Sequence, residues 1–431
     1  MLTFHSLRVV EIHPEAEDAV GISLEVPPEL RAVYQGLPGQ HIVVRTQIND
    51  EEDRRTYSLV NAPGEFPLRI VVRVHPSGKM SRYLAEQLNV GDALDVLPPN
   101  GSFSPRRAAQ AGGTYVAFAS GCGITPVLSV ARALLAANDS NRIILFYGNA
   151  STGRAMCLEE LLGLKDRYLH RLSLHFVMSR EPQESELYNG RLDAGRVRQL
   201  ARTLFQPSEA SEYFVCGPGN MIDEVSATLR ELGVEGDRIH GEHFTVATTT
   251  AVAGAAESVT AADPGAITVE FADTPPGAIS VEFDEKPEAG IAVEFTGAPV
   301  GAEAGTGTGE RLTQVPGGAV ATPDVQAAAP TKPALAPDQA EVTVLMDGRR
   351  RTFTMRMNDE VVLDAAMRAG LELPFSCRAG VCSTCRTKLV RGEVEMAQNY
   401  ALEEWEVEQG YVLACQSHVK TPVIELDYDE K

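Results

Sequence analysis

The chain has no long hydrophobic run. Its 431 residues offer stretches such as Ile143-Ile144-Leu145-Phe146-Tyr147, far short of the roughly 20 residues that cross a bilayer. Its opening, Met1 to Val10, carries charged and polar groups where a signal peptide needs an apolar core. These absences predict a cytoplasmic protein with no membrane contact. Basic residues are also scarce: 38 Lys and Arg stand against 59 Asp and Glu, a net charge of −21. That balance argues against nucleic acid as a partner, because a phosphate backbone is held by cations. Cysteine is sparse. Of seven in all, Cys122, Cys157 and Cys216 lie far apart with no disulfide-like arrangement. Histidines are scattered; His240 and His243 form one H-x-x-H, too little for a metal site, and read as ordinary strand-end polar groups. The single tryptophan, Trp405, is expected in a core. With 44% hydrophobic residues, the chain has material for about two to four domains.

The remaining four cysteines carry the strongest signal. Cys377, Cys382 and Cys385 follow a C-x4-C-x2-C spacing, and Cys415 comes 29 residues later. Four thiolates, two for each iron, are what a [2Fe–2S] centre needs, and three from one loop plus a distant fourth is the plant-type ferredoxin pattern. Ser376, Ala379, Gly380, Ser383 and Thr384 are small enough to let backbone N–H groups approach the sulfurs. Zinc ribbons prefer two symmetric C-x2-C pairs, and only Cys382/Cys385 has that form. A one-electron carrier at the C-terminus directs attention to what supplies it.

From Leu2 to Leu97 short alternating strands are broken by Pro and Gly: Leu7–Ile12, Val20–Val26, His41–Arg45, Thr56–Val60, Leu68–Val74 and Ala93–Val96, with one helix near Ser81–Leu88. The spacing predicts a small antiparallel barrel. Arg55-Thr56-Tyr57-Ser58 sets a guanidinium, a phenol and a hydroxyl along one strand. Ser77-Gly78-Lys79-Met80-Ser81 is a Gly turn opening a helix, whose N–H groups suit a pyrophosphate. At this separation the two stretches resemble the FAD domain of the ferredoxin–NADP reductase superfamily. The resemblance assigns FAD: it implies that Arg55, Thr56, Tyr57 and Ser58 hold the cofactor, that Val72 and Arg73 run under it, and that Gly78, Lys79, Met80 and Ser81 hold its pyrophosphate.

After about residue 112 the pattern changes to strand–helix alternation. Tyr115–Ala119, Ile143–Tyr147, Leu172–Met178 and Tyr213–Cys216 read as buried parallel strands. Helices are expected near Val127–Ala137, Leu158–Lys165, Gly195–Leu204 and Met221–Leu232. Such an open α/β sheet binds ligands beyond the carboxyl ends of its strands. Gly121 and Gly123 let a phosphate approach the first end, and Pro126 starts a helix there. The last end is Cys216-Gly217-Pro218. Both match the same superfamily in the same order. By that resemblance Thr125 and Pro126 flank the nicotinamide, Cys216 sits by the hydride-transfer point with Glu242, and Phe244 covers the flavin face. Ser179 and Arg180 follow the third strand and suit a 2′-phosphate, which favours NADPH and leaves NADH as the alternative.

Residues 246–340 contain no Cys, Tyr or Trp and carry 13 acids against 3 bases. A composition of Ala, Gly and Pro builds no core, so this is expected to be a linker. Within it Gly-Ala-Ile-Thr-Val-Glu-Phe271 recurs with changes, ending at Phe283 and Phe295, a period of 12. From Glu341 onward, strands Glu341–Met346 and Arg350–Arg356 flank an Asp347-Gly348 turn. Val361–Ala369 is a helix ended by Gly370, Leu402–Val407 a second, and Tyr411–Cys415 and Val423–Leu426 are strands of a β-grasp ferredoxin.

The expected organisation is multidomain: an antiparallel β-barrel FAD domain over 1–108, an α/β open-sheet NADP-binding domain over 109–245, a long linker over 246–340, and a β-grasp [2Fe–2S] ferredoxin domain over 341–431. This order resembles one branch of the oxygenase reductases. Within that branch the chain is similar to the reductases of phenylacetyl-CoA ring epoxidases, on Val362-Leu363-Asp364-Ala365-Ala366, Asn399-Tyr400-Ala401-Leu402-Glu403 and Gly410 to Gln416. The resemblance implies NADPH oxidation, with electrons passing through FAD and the cluster to a multicomponent di-iron oxygenase. The reductase of another oxygenase, such as a ketosteroid hydroxylase, and a redox-sensing docking protein are the alternatives.

As a coil the linker would span on the order of 50–60 Å and keep the ferredoxin at high effective concentration. Deleting Pro264 to Phe295 leaves 63 of its residues, and effective concentration changes slowly with length. That deletion is expected to keep both NADPH–ferricyanide activity and oxygenase reduction to within a few-fold. Loss of oxygenase reduction alone, with FAD and cluster full, would show the repeat to be a docking element.

Overall fold

Alternating apolar residues in the first hundred positions close a sheet upon itself. The structure, a computed structural model, describes residues 3–106, 112–244 and 336–430; the repeat at Phe271, Phe283 and Phe295 lies outside the described residues. Six strands, β1 His5–Ala16, β2 Ala19–Glu25, β3 His41–Ile48, β4 Glu51–Ser58, β5 Leu68–Arg73 and β6 Ala93–Asn100, form one antiparallel sheet in the order β4-β3-β6-β1-β2-β5. A bridge between Leu59 and Ile70 joins its two edges, which makes the expected barrel. Leu7, Val9, Ile22, Leu24, Ile42, Val44, Ile70 and Val96 fill it. Helix α1, Lys79–Glu86, plugs one end with Met80 and Leu84. The sequence reading found every barrel strand but began β4 five residues late, at Thr56, because its first half, Glu51 to Arg55, is wholly charged.

Five parallel strands form the second sheet: β7 Thr114–Ser120, β8 Arg142–Asn149, β9 Leu172–Met178, β10 Ala210–Gly217 and β11 Ile239–His243, in the order β11-β10-β7-β8-β9. Helices α2 Ile124–Ala137, α3 Leu158–Arg167, α4 Ala194–Thr203 and α5 Gly219–Glu231 cover it. Its strands are buried on both faces, so they read as near-continuous apolar runs. Phe118 and Phe146 stack at 5.1 Å between ring centroids on neighbouring strands, a contact worth about 0.5–1.5 kcal/mol beyond its buried area. The chain runs from β7 outward to β9 and then returns to the other side of β7. Neighbouring strands β7 and β10 therefore begin connections that leave in opposite directions. Their carboxyl ends bound the crevice where such sheets take ligands.

The third sheet is mixed: β12 Gln339–Met346, β13 Arg349–Arg356, β14 Arg386–Arg391, β16 Tyr411–Leu413 and β18 Val423–Asp427, ordered β13-β12-β18-β14-β16, with β12 and β18 parallel. A small pair, β15 Val394–Met396 and β17 Ser417–Val419, lies beside it. Helices α6 Val362–Arg368 and α7 Glu404–Glu408 complete this β-grasp unit. The Asp347-Gly348 turn is as expected, both residues having positive φ. Trp405 departs from expectation. It is half-buried rather than in the core, with the Arg106 guanidinium 4.7 Å over its ring.

Among the described residues no helix is long and apolar enough to cross a membrane.

Candidate functional site

Parallel pairing sets Cys216 of β10 directly between Ala119 of β7 and Glu242 of β11. The turn after β7, Gly121 to Gly123, packs on that strand end so tightly that a Cβ on Gly123 would lie 2.0 Å from the Cys216 carbonyl. Gly121 holds a φ of +55° and has open space where its side chain would be. Thr125 is buried, its hydroxyl donating to the Cys122 carbonyl at 2.9 Å. Pro126 is buried in the first turn of α2, and Gly217 and Pro218 lead into α5. Burial pushes the Cys216 thiol well above its usual range, with the neighbouring Glu242 and Cys122 adding to the shift; it stays a neutral S–H.

The barrel meets this point from the other side. Ser58 donates its hydroxyl to Glu242 Oε2 at 3.5 Å, and His41 Nδ1 lies 3.4 Å from Glu242 Oε1. Burial alone would lower the His41 pKa, but the hydrogen bond and charge of Glu242 raise it overall. Phe244 packs partly buried against the same core. Along β4 the side chains divide by parity. Arg55 is exposed and pairs with Asp53, and Tyr57 is half-buried against the barrel core. Thr56 faces the third sheet, its hydroxyl 2.9 Å from that of Ser376. Val72 and Met80 put their side chains into the barrel core, so only their backbones face a ligand. The first-turn N–H groups of α1, at Lys79, Met80 and Ser81, have no acceptor within the helix. Lys79 pairs with Glu51 at 2.6 Å. Ser81 Oγ accepts from the His75 N–H at 3.1 Å and closes the Gly78 turn.

A cleft of about 490 Å³ opens at the ends of β7, β8 and β9, bordered by Gly121, Ser179, Arg180 and Pro218. Arg73, Arg154 and Arg191 also line it. Sequence reasoning had named Arg73 with the flavin and missed Arg154 and Arg191. Asp18 holds Arg73 and Arg154 together.

In the β-grasp unit, Cys382, Cys385 and Cys415 are buried and Cys377 is half-buried. Cys382 lies against Cys377, and Cys415 against Cys385. Positive φ at Arg378, Gly380 and Ser383 turns N–H groups toward the sulfurs: Cys377 N–H lies 3.4 Å from Cys382 Sγ, Ala379 N–H 3.4 Å from Cys377 Sγ, and the Gln416 amide 3.6 Å from Cys415 Sγ. Among the described residues no His, Cys, Asp or Glu side chains converge in threes as they would on one metal ion. Two adjacent thiol pairs with inward N–H donors fit a two-iron cluster.

The cysteine loop abuts the barrel. Arg54, 4.2 Å over the Phe375 ring, also reaches Glu372 at 3.2 Å. Arg106 pairs with Glu403, and His240 lies between Glu212 at 3.0 Å and Glu403 at 3.3 Å. His240, expected as an ordinary strand-end group, is fully buried between two carboxylates from different sheets.

Sequence profiles of three families match: an oxidoreductase FAD-binding domain over residues 6–104, an oxidoreductase NAD-binding domain over 118–227, and a 2Fe-2S iron-sulfur cluster binding domain over 344–420. The chain is 32% identical over its whole length to a component of the 1,2-phenylacetyl-CoA epoxidase of Escherichia coli, covering 99% of that protein. The chain belongs to the ferredoxin–NADP reductase superfamily, in the branch with a C-terminal plant-type ferredoxin. This reductase is also 26% identical to the ferredoxin reductase component of 3-ketosteroid-9-alpha-monooxygenase from Rhodococcus rhodochrous, over 98% of the chain and 96% of the relative. Two solved structures share the fold. Phthalate dioxygenase reductase matches with a TM-score of 0.50 and 18% identity, covering 98% of each chain. An intact type IV self-sufficient cytochrome P450 monooxygenase matches with a TM-score of 0.60 and 18% identity over 98% of this chain, which spans 41% of that one. The reductase binds FAD, a nicotinamide coenzyme and a [2Fe–2S] cluster, and it is an electron-transfer component of an oxygenase system.

Gly123→Ala forces the turn away from the Cys216 carbonyl. It is expected to cost about 1–3 kcal/mol of stability, as overpacking does, and to raise the coenzyme KM severalfold while FAD content holds. Thermal unfolding and steady-state kinetics check both; an unchanged KM would show that the turn does not border the coenzyme.

Proposed function

We propose that this reductase oxidises NADPH and passes the electrons to a di-iron oxygenase, the ring epoxidase of phenylacetyl-CoA. The observation that carries the reading is the full-length similarity to the epoxidase component, which exceeds that to the ketosteroid reductases. When bound, nicotinamide, flavin and cluster together turn a two-electron donor into single-electron deliveries. The chain's residues hold and orient them. Arg55, Tyr57 and Ser58 hold the flavin, with Thr56 on the ferredoxin side of the same strand and Val72–Arg73 beneath it. The Gly78–Ser81 turn presents its N–H groups to the pyrophosphate. Gly121, Gly123, Thr125, Pro126, Gly217 and Pro218 border the nicotinamide. Cys216 and Glu242, side by side on adjacent strands, face the hydride-transfer point, and Phe244 shields the flavin. Ser179 and Arg180 read the 2′-phosphate. Cys377 and Cys382 ligate one iron, Cys385 and Cys415 the other. The reductase of a ketosteroid hydroxylase would share this architecture, so the partner decides between them. A redox-sensing docking protein is disfavoured by the paired Cys216 and Glu242, and rapid NADPH–ferricyanide turnover would exclude it.

Reconstitution tests the partner. Phenylacetyl-CoA-dependent NADPH oxidation with the purified di-iron epoxidase is expected to exceed that with a ketosteroid oxygenase and its steroid by roughly tenfold or more. The reverse order would assign the chain to the steroid system.

Coenzyme choice is tested at Arg180. A charge-assisted hydrogen bond contributes about 1.5–3 kcal/mol, so Arg180→Ala should raise the NADPH KM by roughly tenfold or more and leave NADH nearly unchanged. Equal effects on both coenzymes would remove Arg180 from the 2′-phosphate.

A further inference from the structure

One buried group at the junction has no part in the assignments above. His41 opens β3 and pairs in register with Ser58 of β4 and Asn100 of β6. It is only 2% exposed. Its Nδ1 engages Glu242 at 3.4 Å. Its Nε2 is buried and has no hydrogen-bond partner among the described residues. On that side the ring lies against Cys382, both its thiol and its backbone. The absence of a side chain at Gly101 makes room, since a Cβ there would come within 3.0 Å of the ring.

A buried ring nitrogen without a partner is costly, and its direction tells what it lacks. A free thiol is a weak acceptor. A cysteine sulfur bound to iron carries negative charge and takes N–H donors, which stabilise the cluster that holds it. The contacts around His41 place it where the loop needs an anchor. Thr56 with Ser376, and Arg54 with Phe375, fix the loop just before Cys377. Neither reaches Cys382. The tunnelling rate of an electron falls steeply with distance, so the placement of that sulfur on the barrel matters more than that of any other loop atom.

We propose that His41 is a positioning residue for electron transfer from flavin to cluster, one ring nitrogen holding Glu242 and the other donating to the sulfur of Cys382. This rests on the assignment of Glu242 to the flavin side and of Cys382 to the cluster. An apolar side chain of similar size would fill the same space but hold neither neighbour. An amide could restore part of the bridge.

The test uses the full-length protein with FAD and cluster bound. With histidines labelled by 15N, electron spin-echo modulation of the dithionite-reduced cluster should show a nitrogen coupling that is missing from equally labelled His41→Gln. In stopped flow, His41→Leu should slow cluster reduction by NADPH roughly tenfold more than it slows flavin reduction, and His41→Gln should recover a large part of that loss. Absence of the coupling in the wild-type protein overturns the proposal even where a variant fails to fold. So does a His41→Leu protein in which both reductions slow alike or neither slows. A full cluster retained in Cys382→Ser would instead overturn the ligand assignment on which the proposal rests.

Discussion

A carboxylate buried to nine-tenths, Glu242, is the constraint around which the described structure is arranged. Burying a charge is costly unless partners compensate it, and Glu242 draws its partners from outside its own sheet. Ser58 and His41 come from the barrel, while Cys216 lies beside it on the next strand. The barrel and the nucleotide-binding sheet can satisfy Glu242 only in one mutual placement. That placement is the one that brings the end of β4, where the flavin stretch lies, to the crevice between β7 and β10. A second seam reinforces it: Arg69 with Glu15 and Glu160, and the Cys157 N–H with Glu15 at 2.9 Å.

The ferredoxin is held by weaker means. Its contacts with the other two sheets are ion pairs and short polar bridges: Arg54 with Glu372, Arg106 with Glu403, Thr56 with Ser376. Glu372 is 74% exposed. Pairs of that kind contribute about 0–1 kcal/mol each and are screened by salt. An interface of this sort can open without unfolding either side, which suits a carrier that must take an electron at one surface and give it up at another.

The fold was largely legible in the sequence because each domain signals itself by a different period. Alternation gave the barrel, apolar runs between helices gave the parallel sheet, and cysteine spacing gave the ferredoxin. β4 was shortened because Glu51-Glu52-Asp53-Arg54-Arg55 hides a strand under charge; only its pairing with β3 shows it. The short strands β14, β15 and β17 were missed because they are short or carry mixed polarity. At the site, motifs located the glycine turns, the thiols and the Cys216–Glu242 pair. They gave no sign of His41, His240, Arg154 or Arg191, since no local pattern sets a histidine or arginine that acts across domains apart from a surface one. Trp405 misled for the opposite reason: a large apolar ring suggests a core, and here it rests beneath Arg106 at a domain junction.

Strand order has a consequence for how such a chain can change. The residues assigned to the coenzyme's 2′-phosphate follow β9, at one margin of the parallel sheet, and the Cys216–Glu242 pair occupies β10 and β11 at the other, with β7 and β8 between. Alterations at Ser179 and Arg180 therefore lie outside the packing that fixes Glu242. A lineage moving between metabolic supplies of reducing power could exchange one coenzyme for the other at the β9 margin and leave the redox centre's geometry inherited intact.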